Sequence, residues 1–171
     1  MTDRAKKMEE LHDLIDEMEI AMLTTRRADG RLVSRPMATQ KAEADADLWF
    51  VANIESDKMD ELEVNPEVNV AYYDSGTREW VSVSGRARIS QDRARLRELW
   101  APDWRIWFEE VSDELDGGPD DPRLALIFVE AESARYMKKT ASKPVVLFEL
   151  ARAAVTGDFP GIAREETVEG L

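Results

Sequence analysis

The chain has 171 residues, 43% hydrophobic and 35% charged, enough to bury one core and polar enough for a soluble protein. Its net charge of -13, from 23 basic against 36 acidic residues, repels nucleic acid and anionic membrane, and no basic patch offsets it. Zero cysteines remove disulfides and thiolate chemistry, and a single histidine, His12, argues against a zinc site. No apolar run approaches a membrane span and the N-terminus is not signal-like, so a cytoplasmic location and no membrane partner are expected.

Met8, Leu11, Leu14, Ile15 and Met18 recur at helical spacing over residues 3–19, which predicts an amphipathic helix. His12 lies beside that stripe, the usual place of a surface or half-buried histidine. Residues 20–25 read as a strand. The turn Arg27-Ala28-Asp29-Gly30 predicts an antiparallel partner over 32–40. In that second strand Val33, Arg35 and Met37 share a face, and Pro36 requires an edge or a bulge. An arginine on a face that otherwise looks buried wants an anion, because an unpartnered guanidinium there is costly.

After a charged turn at 42–46, Leu48, Trp49, Phe50 and Val51 form an apolar strand, followed by a helix over about 57–64. The first N–H groups of such a helix lack internal partners and carry partial positive charge. With the Ser56 hydroxyl and the Lys58 ammonium they make an anion cradle. The same residues also fit a plain cap, a solvated lysine, and an Arg35 paired with a carboxylate.

Asn65-Pro66 ends the helix; strands follow over 68–73 and 79–89, and Gly85 marks a bulge or a close backbone approach. Residues 91–100 read as a helix that Pro102 breaks. The stretch 103–111 carries Trp104, Ile106, Trp107, Phe108 and Val111, which suits either core packing or a ligand-facing or interface surface. The aspartates of loop 116–122 invite a metal, but its Gly/Pro/Asp composition is that of an ordinary loop, and no metal is expected. A strand over 124–129, weaker to 137, and a helix over 143–155 complete a single domain, 1–157. Residues 158–171 read as a flexible acidic tail. The pattern is mainly β with peripheral helices: about six antiparallel strands, which closure into a small barrel would protect at their edges.

Taken in order, Arg35-Pro36-Met37, Leu48-Trp49-Phe50, Ser56-Asp57-Lys58, Asn65-Pro66-Glu67-Val68, Val81 to Gly85, the aromatics from Trp100 to Phe108, and Asp121 to Ile127 leading to Ala134-Arg135-Tyr136 resemble a known family. It is that of the pyridoxamine 5'-phosphate oxidase-like flavin proteins, and within it the general stress protein 26 subgroup. The resemblance spans residues 8–137. It implies a six-stranded antiparallel split β-barrel and a homodimer with FMN in clefts between the subunits. The phosphate is then expected at Arg35, Ser56 and Lys58, and the ring along Arg35, Pro36 and Met37 and along Phe50, Val51, Ala52 and Asn53. Trp107 is the candidate cover from the partner subunit.

Related sequences often read Tyr-Trp where this one has Tyr136-Met137, and the arginine and histidine pattern of the true oxidases is absent. Oxidation of pyridoxamine phosphate is therefore not expected. The expected activity is that of an FMN-dependent oxidoreductase of unknown substrate, with no acid or base identifiable. The alternatives are a non-enzymatic flavin store, buffer or sensor, or the same cleft holding FAD, deazaflavin F420 or haem. Haem is the least favoured, since His12 belongs to the first helix.

Overall fold

The computed structural model describes residues 3–41, 47–139 and 163–171, together with Arg152 and Thr156. Helix α1 (Asp3–Met18) turns its apolar stripe inward, burying Leu11, Leu14 and Ile15. Strands β1 (Ile20–Arg26) and β2 (Leu32–Ala38) form the expected hairpin, in register from Ile20 opposite Ala38 to Arg26 opposite Leu32. Gly30, at a φ of 83°, makes the left-handed turn between them. Strand β3 (Leu48–Asn53) runs into α2 (Asp57–Val64), which ends where Asn65 turns extended ahead of Pro66. Then come β4 (Glu67–Tyr73), β5 (Trp80–Ser90), α3 (Arg93–Leu99), a 3₁₀ segment (Pro102–Trp107), β6 (Leu124–Lys139) and β7 (Ala163–Glu169).

The sheet is antiparallel throughout, in the order β2-β1-β4-β5-β6-β3, with β7 added to β6. It curls so that its two end strands approach: Gln40 N–H donates to Trp49 O at 3.1 Å, but β2 and β3 form no ladder. The barrel is thus split along that seam. Its interior is filled by Leu23, Phe50, Val70, Val83, Ile127 and Tyr136, under α1 and α2. A second apolar cluster, Trp49, Leu96, Trp104, Phe108, Leu124, Leu126 and Phe128, packs on the far side of β3 and β6. Both strands are therefore covered on two faces, which is why their sequences read as unbroken apolar runs rather than alternating ones.

Two expectations need correction. Among the described residues the sheet has seven strands rather than six, and over 163–169 the acidic stretch read as a tail is the seventh. Only Val168 of this strand is buried, so it carries almost no apolar signal; charge pairs hold it, including Lys7–Glu166 at 2.9 Å and Arg164–Glu10 at 2.7 Å. The helix read over 143–155 lies, apart from Arg152, outside the described residues, as does the turn at 42–46.

Gly85 makes both the close approach and the bulge. Ser84 pairs with Ser133 and Gly85 with Ala131, leaving Glu132 extra on β6, and a Cβ at Gly85 would stand 2.2 Å from Glu130 O. Farther along, Asp121, 1% exposed, braces the loop before β6. Its carboxylate accepts from Gly117 N at 2.8 Å, Arg123 N at 2.9 Å and Arg123 Nη2 at 2.7 Å, while Arg123 Nη2 also donates to Glu109 O at 3.0 Å. Burial pushes the Asp121 carboxyl up, but the hydrogen bonds from Arg123 and Gly117 outweigh it and hold it at about 2.

Gly85→Ala should cost about 3 kcal/mol, because the backbone of β6 must give way; urea unfolding measures it. Asp121→Asn should cost at least about 3 kcal/mol, since it leaves the Arg123 charge buried without its partner. Because the folded Asp121 pKa is depressed from 3.8 to about 2, its contribution is present above about pH 4 and is lost as pH falls toward 2. In the Asn variant that part of the acid dependence of unfolding should be missing.

Candidate functional site

Arg35 lies on β2 opposite Leu23, and its side chain is only 20% exposed. Its Nη2 donates to Glu61 Oε2 at 2.7 Å and its Nη1 to Thr25 Oγ1, while the Thr25 hydroxyl donates to the same Glu61 oxygen. The guanidinium thus ties β2, β1 and α2 together. Burial pushes the Glu61 carboxyl up, but the hydrogen bonds from Thr25 and Arg35 more than reverse this and lower it.

At the start of α2, Ser56 occupies the cap position without a side-chain cap bond. Its hydroxyl donates back to Asn53 O at 2.6 Å and accepts from Lys58 Nζ at 2.9 Å. The Lys58 ammonium is lowered in pKa first by burial and then by the like charge of Arg35. Among the described residues it has no carboxylate within ion-pair distance. An anion placed between the two cations would offset both effects by its charge.

Those cations face a cavity of about 230 Å³ in the seam between β2 and β3. Arg35, Pro36, Met37, Ala38 and Gln40 line it from one side and Val51, Ala52 and Asn53 from the other; Lys58 closes one end and Trp104, Trp107 and Phe108 the outer wall. The cavity exists because the sheet path stops at these two strands. Trp104 is 1% exposed and meets Trp49 edge-to-face at 6.1 Å, whereas Trp107 is 64% exposed at the rim.

Of the residues read from sequence, Arg35, Pro36, Met37, Val51, Ala52, Asn53, Lys58 and Trp107 are brought together here. Phe50 is not: alternation along β3 points it into the barrel with Leu48, fully buried. Ser56 stands behind the wall, touching the cavity only through Lys58. His12 is exposed on α1 and lines no part of the cavity.

Sequence reading missed Ala38, Gln40, Trp104 and Phe108. The two aromatics lie in the stretch left open between core and ligand, and they both pack in the second apolar cluster and line the cavity. Gln40 gave no signal, since a polar residue at a strand end reads as the beginning of a turn. The loop aspartates are engaged by arginines, Asp120 with Arg97 at 2.6 Å, Asp116 with Arg105 and Asp121 with Arg123.

A family model for proteins like pyridoxamine 5'-phosphate oxidase matches residues 6–161. The protein bli-3 of Neurospora crassa is 35% identical over 155 residues, 89% of this chain and 74% of that protein. A solved structure from Jannaschia sp. CCS1, described as a candidate general stress protein 26, superposes with a TM-score of 0.72 at 25% identity, covering 96% of this chain and 99% of the other. The general stress FMN/FAD binding protein of Xanthomonas citri superposes with a TM-score of 0.59 at 27% identity, over 75% of this chain and 88% of that one. With the family model spanning most of its length, the chain belongs to the pyridoxamine 5'-phosphate oxidase-like family.

Proposed function

We propose that the seam cavity holds FMN and that the chain is a flavin-dependent oxidoreductase, cytoplasmic and homodimeric. The observation that carries this reading is the pairing of two cations, Arg35 and Lys58, at one end of a cavity whose other walls are largely apolar and aromatic. A phosphate suits the charged end, where charge-assisted hydrogen bonds are strongest. Glu61 and Thr25 hold the guanidinium from behind, so Arg35 is already oriented for it. Met37, Val51 and Trp107 offer apolar surface for a ring, and backbone groups of β2 and β3 at the seam are available to its polar edge. A bound flavin would supply the hydride chemistry, and the protein binding, orientation and exclusion of water.

The surface beyond Arg35 favours the mononucleotide over FAD. A neighbouring groove carries Asp29, Asp57, Asp60 and Glu61 against Arg27 and Arg35, a poor setting for a second phosphate. Haem is disfavoured by a lining without histidine. The dimer is supported by Ile20, Met22, Leu32 and Tyr73, large exposed apolar side chains that the register places on one outer face of β1, β2 and β4. Among the described residues no helix is long and apolar enough to cross a membrane.

A second reading, a flavin store or sensor without turnover, is favoured by one feature of the lining. Among the described residues its only lining side chains that titrate are Arg35 and Lys58, so these offer no carboxylate or imidazole to move a proton. Reduction of the bound flavin by NADPH or NADH in the purified holoprotein would decide for the first reading, and no reduction by either for the second.

Lys58→Ala should weaken FMN by about tenfold to a hundredfold and leave riboflavin within about twofold, because only the phosphate meets the ammonium. Isothermal titration measures both; equal losses for the two ligands would place the phosphate elsewhere. Light scattering should report a dimer, and a monomer that still takes up FMN would contradict the shared cleft.

A further inference from the structure

Gln40 sits on the seam: its backbone N–H reaches Trp49 O at 3.1 Å and it lines the cavity. A primary amide can present a ligand with a carbonyl acceptor or with N–H donors, and the two orientations have nearly the same shape. Trp104 decides between them. Its indole N–H can only donate, is buried, and lies 3.2 Å from Gln40 Oε1. The reversed amide would set N–H against N–H and leave the indole unpaired. Trp104 cannot move aside to permit this, because Trp49 meets it edge-to-face and Leu96, Phe108 and Phe128 share its cluster.

The Gln40 amide nitrogen is therefore the end left for the cavity. One of its two protons approaches Ala38 O at 3.3 Å, and no described residue takes the other. Asn53, the cavity's other neutral polar side chain, has its Oδ1 engaged by Glu55 N at 2.8 Å in a local turn. Of the two side-chain amides on the wall, it is Gln40 that presents a donor to the cavity.

We propose, resting on the flavin reading above, that Gln40 is a ring-binding residue. Its Nε2–H donates to a carbonyl oxygen of the isoalloxazine ring, O2 or O4, and Trp104 is the positioning residue that fixes this polarity. Negative charge grows on those acceptors when the ring is reduced, so a fixed donor stabilises the reduced form more than the oxidised one.

The test is Gln40→Glu, assayed at about pH 8, where a carboxylate still accepts from Trp104 but no longer donates to the cavity. FMN and riboflavin should both bind about tenfold or more weakly, in equal measure because the phosphate is untouched. The midpoint potential of bound FMN should fall, and the melting temperature of the ligand-free protein should stay that of the wild type. Gln40→Met, which carries no new charge, should show the same equal loss for both flavins and serves if the Glu variant does not fold. Riboflavin binding within about twofold of wild type in either folded variant, or a loss confined to FMN, overturns the proposal while leaving flavin binding intact. Wild-type protein that binds neither flavin overturns the flavin reading itself, and this inference with it.

Discussion

The contact on which much of this structure depends is the one between Arg35 and Glu61. A guanidinium four-fifths removed from solvent on an end strand of a sheet is tolerable only with a partner, and the partner comes from a helix 26 residues farther along the chain. That pairing fastens α2 over the end of β1 and β2, with Thr25 bridging the two charges. Once α2 is placed, Met59 and Leu62 face the core, and Ser56 and Lys58 arrive at the end of β3. The cation at the helix start is thus positioned by a charge pair less than one turn farther along the same helix face. The arrangement also divides the labour between the two cations: Arg35 is held by a carboxylate, and Lys58 is left with a hydroxyl.

The seam and the layer behind it differ in stiffness for a reason visible in the packing. Strands β3 and β6 are covered on both faces, by the barrel interior and by the Trp104 cluster. Outside that cluster the Asp121–Arg123 pair pins the loop carrying the aromatic wall, with the Arg123 guanidinium 5.5 Å from the Phe108 ring. On the seam side β2 has, among the described residues, no ladder partner beyond β1, and the cavity opens where that ladder is missing. A rigid back wall and an unclosed front give a site whose shape is set on one side and finished by whatever covers the other. The exposed Trp107 stands at that rim.

Much of the fold was legible because local rules and tertiary burial agreed. The Asp29-Gly30 hairpin, the Asn65-Pro66 stop and the Gly85 bulge each follow from backbone chemistry that no neighbour overrides. β7 was hidden because its sequence is mostly charged and only Val168 faces inward; its stability lies in pairing with a distant strand. The direction of the Phe50 side chain was hidden for the opposite reason. A continuous apolar run hides its own alternation, and only the second packing layer shows which of its residues look into the barrel.

For the site, residue type alone left Arg35 and Lys58 open between a shared anion and ordinary pairing or solvation, and put Trp107 in an aromatic stretch, since charge and ring are properties a side chain carries anywhere. What the tertiary structure decided was partnership and direction: that Glu61 holds Arg35, that Ser56 turns from the helix to Lys58, and that Trp104 orients the amide of Gln40. Those outcomes rest on contacts between residues as far apart in the chain as 40 and 104. A hydrogen bond's direction depends on the atom opposite, and the sequence by itself does not name that atom.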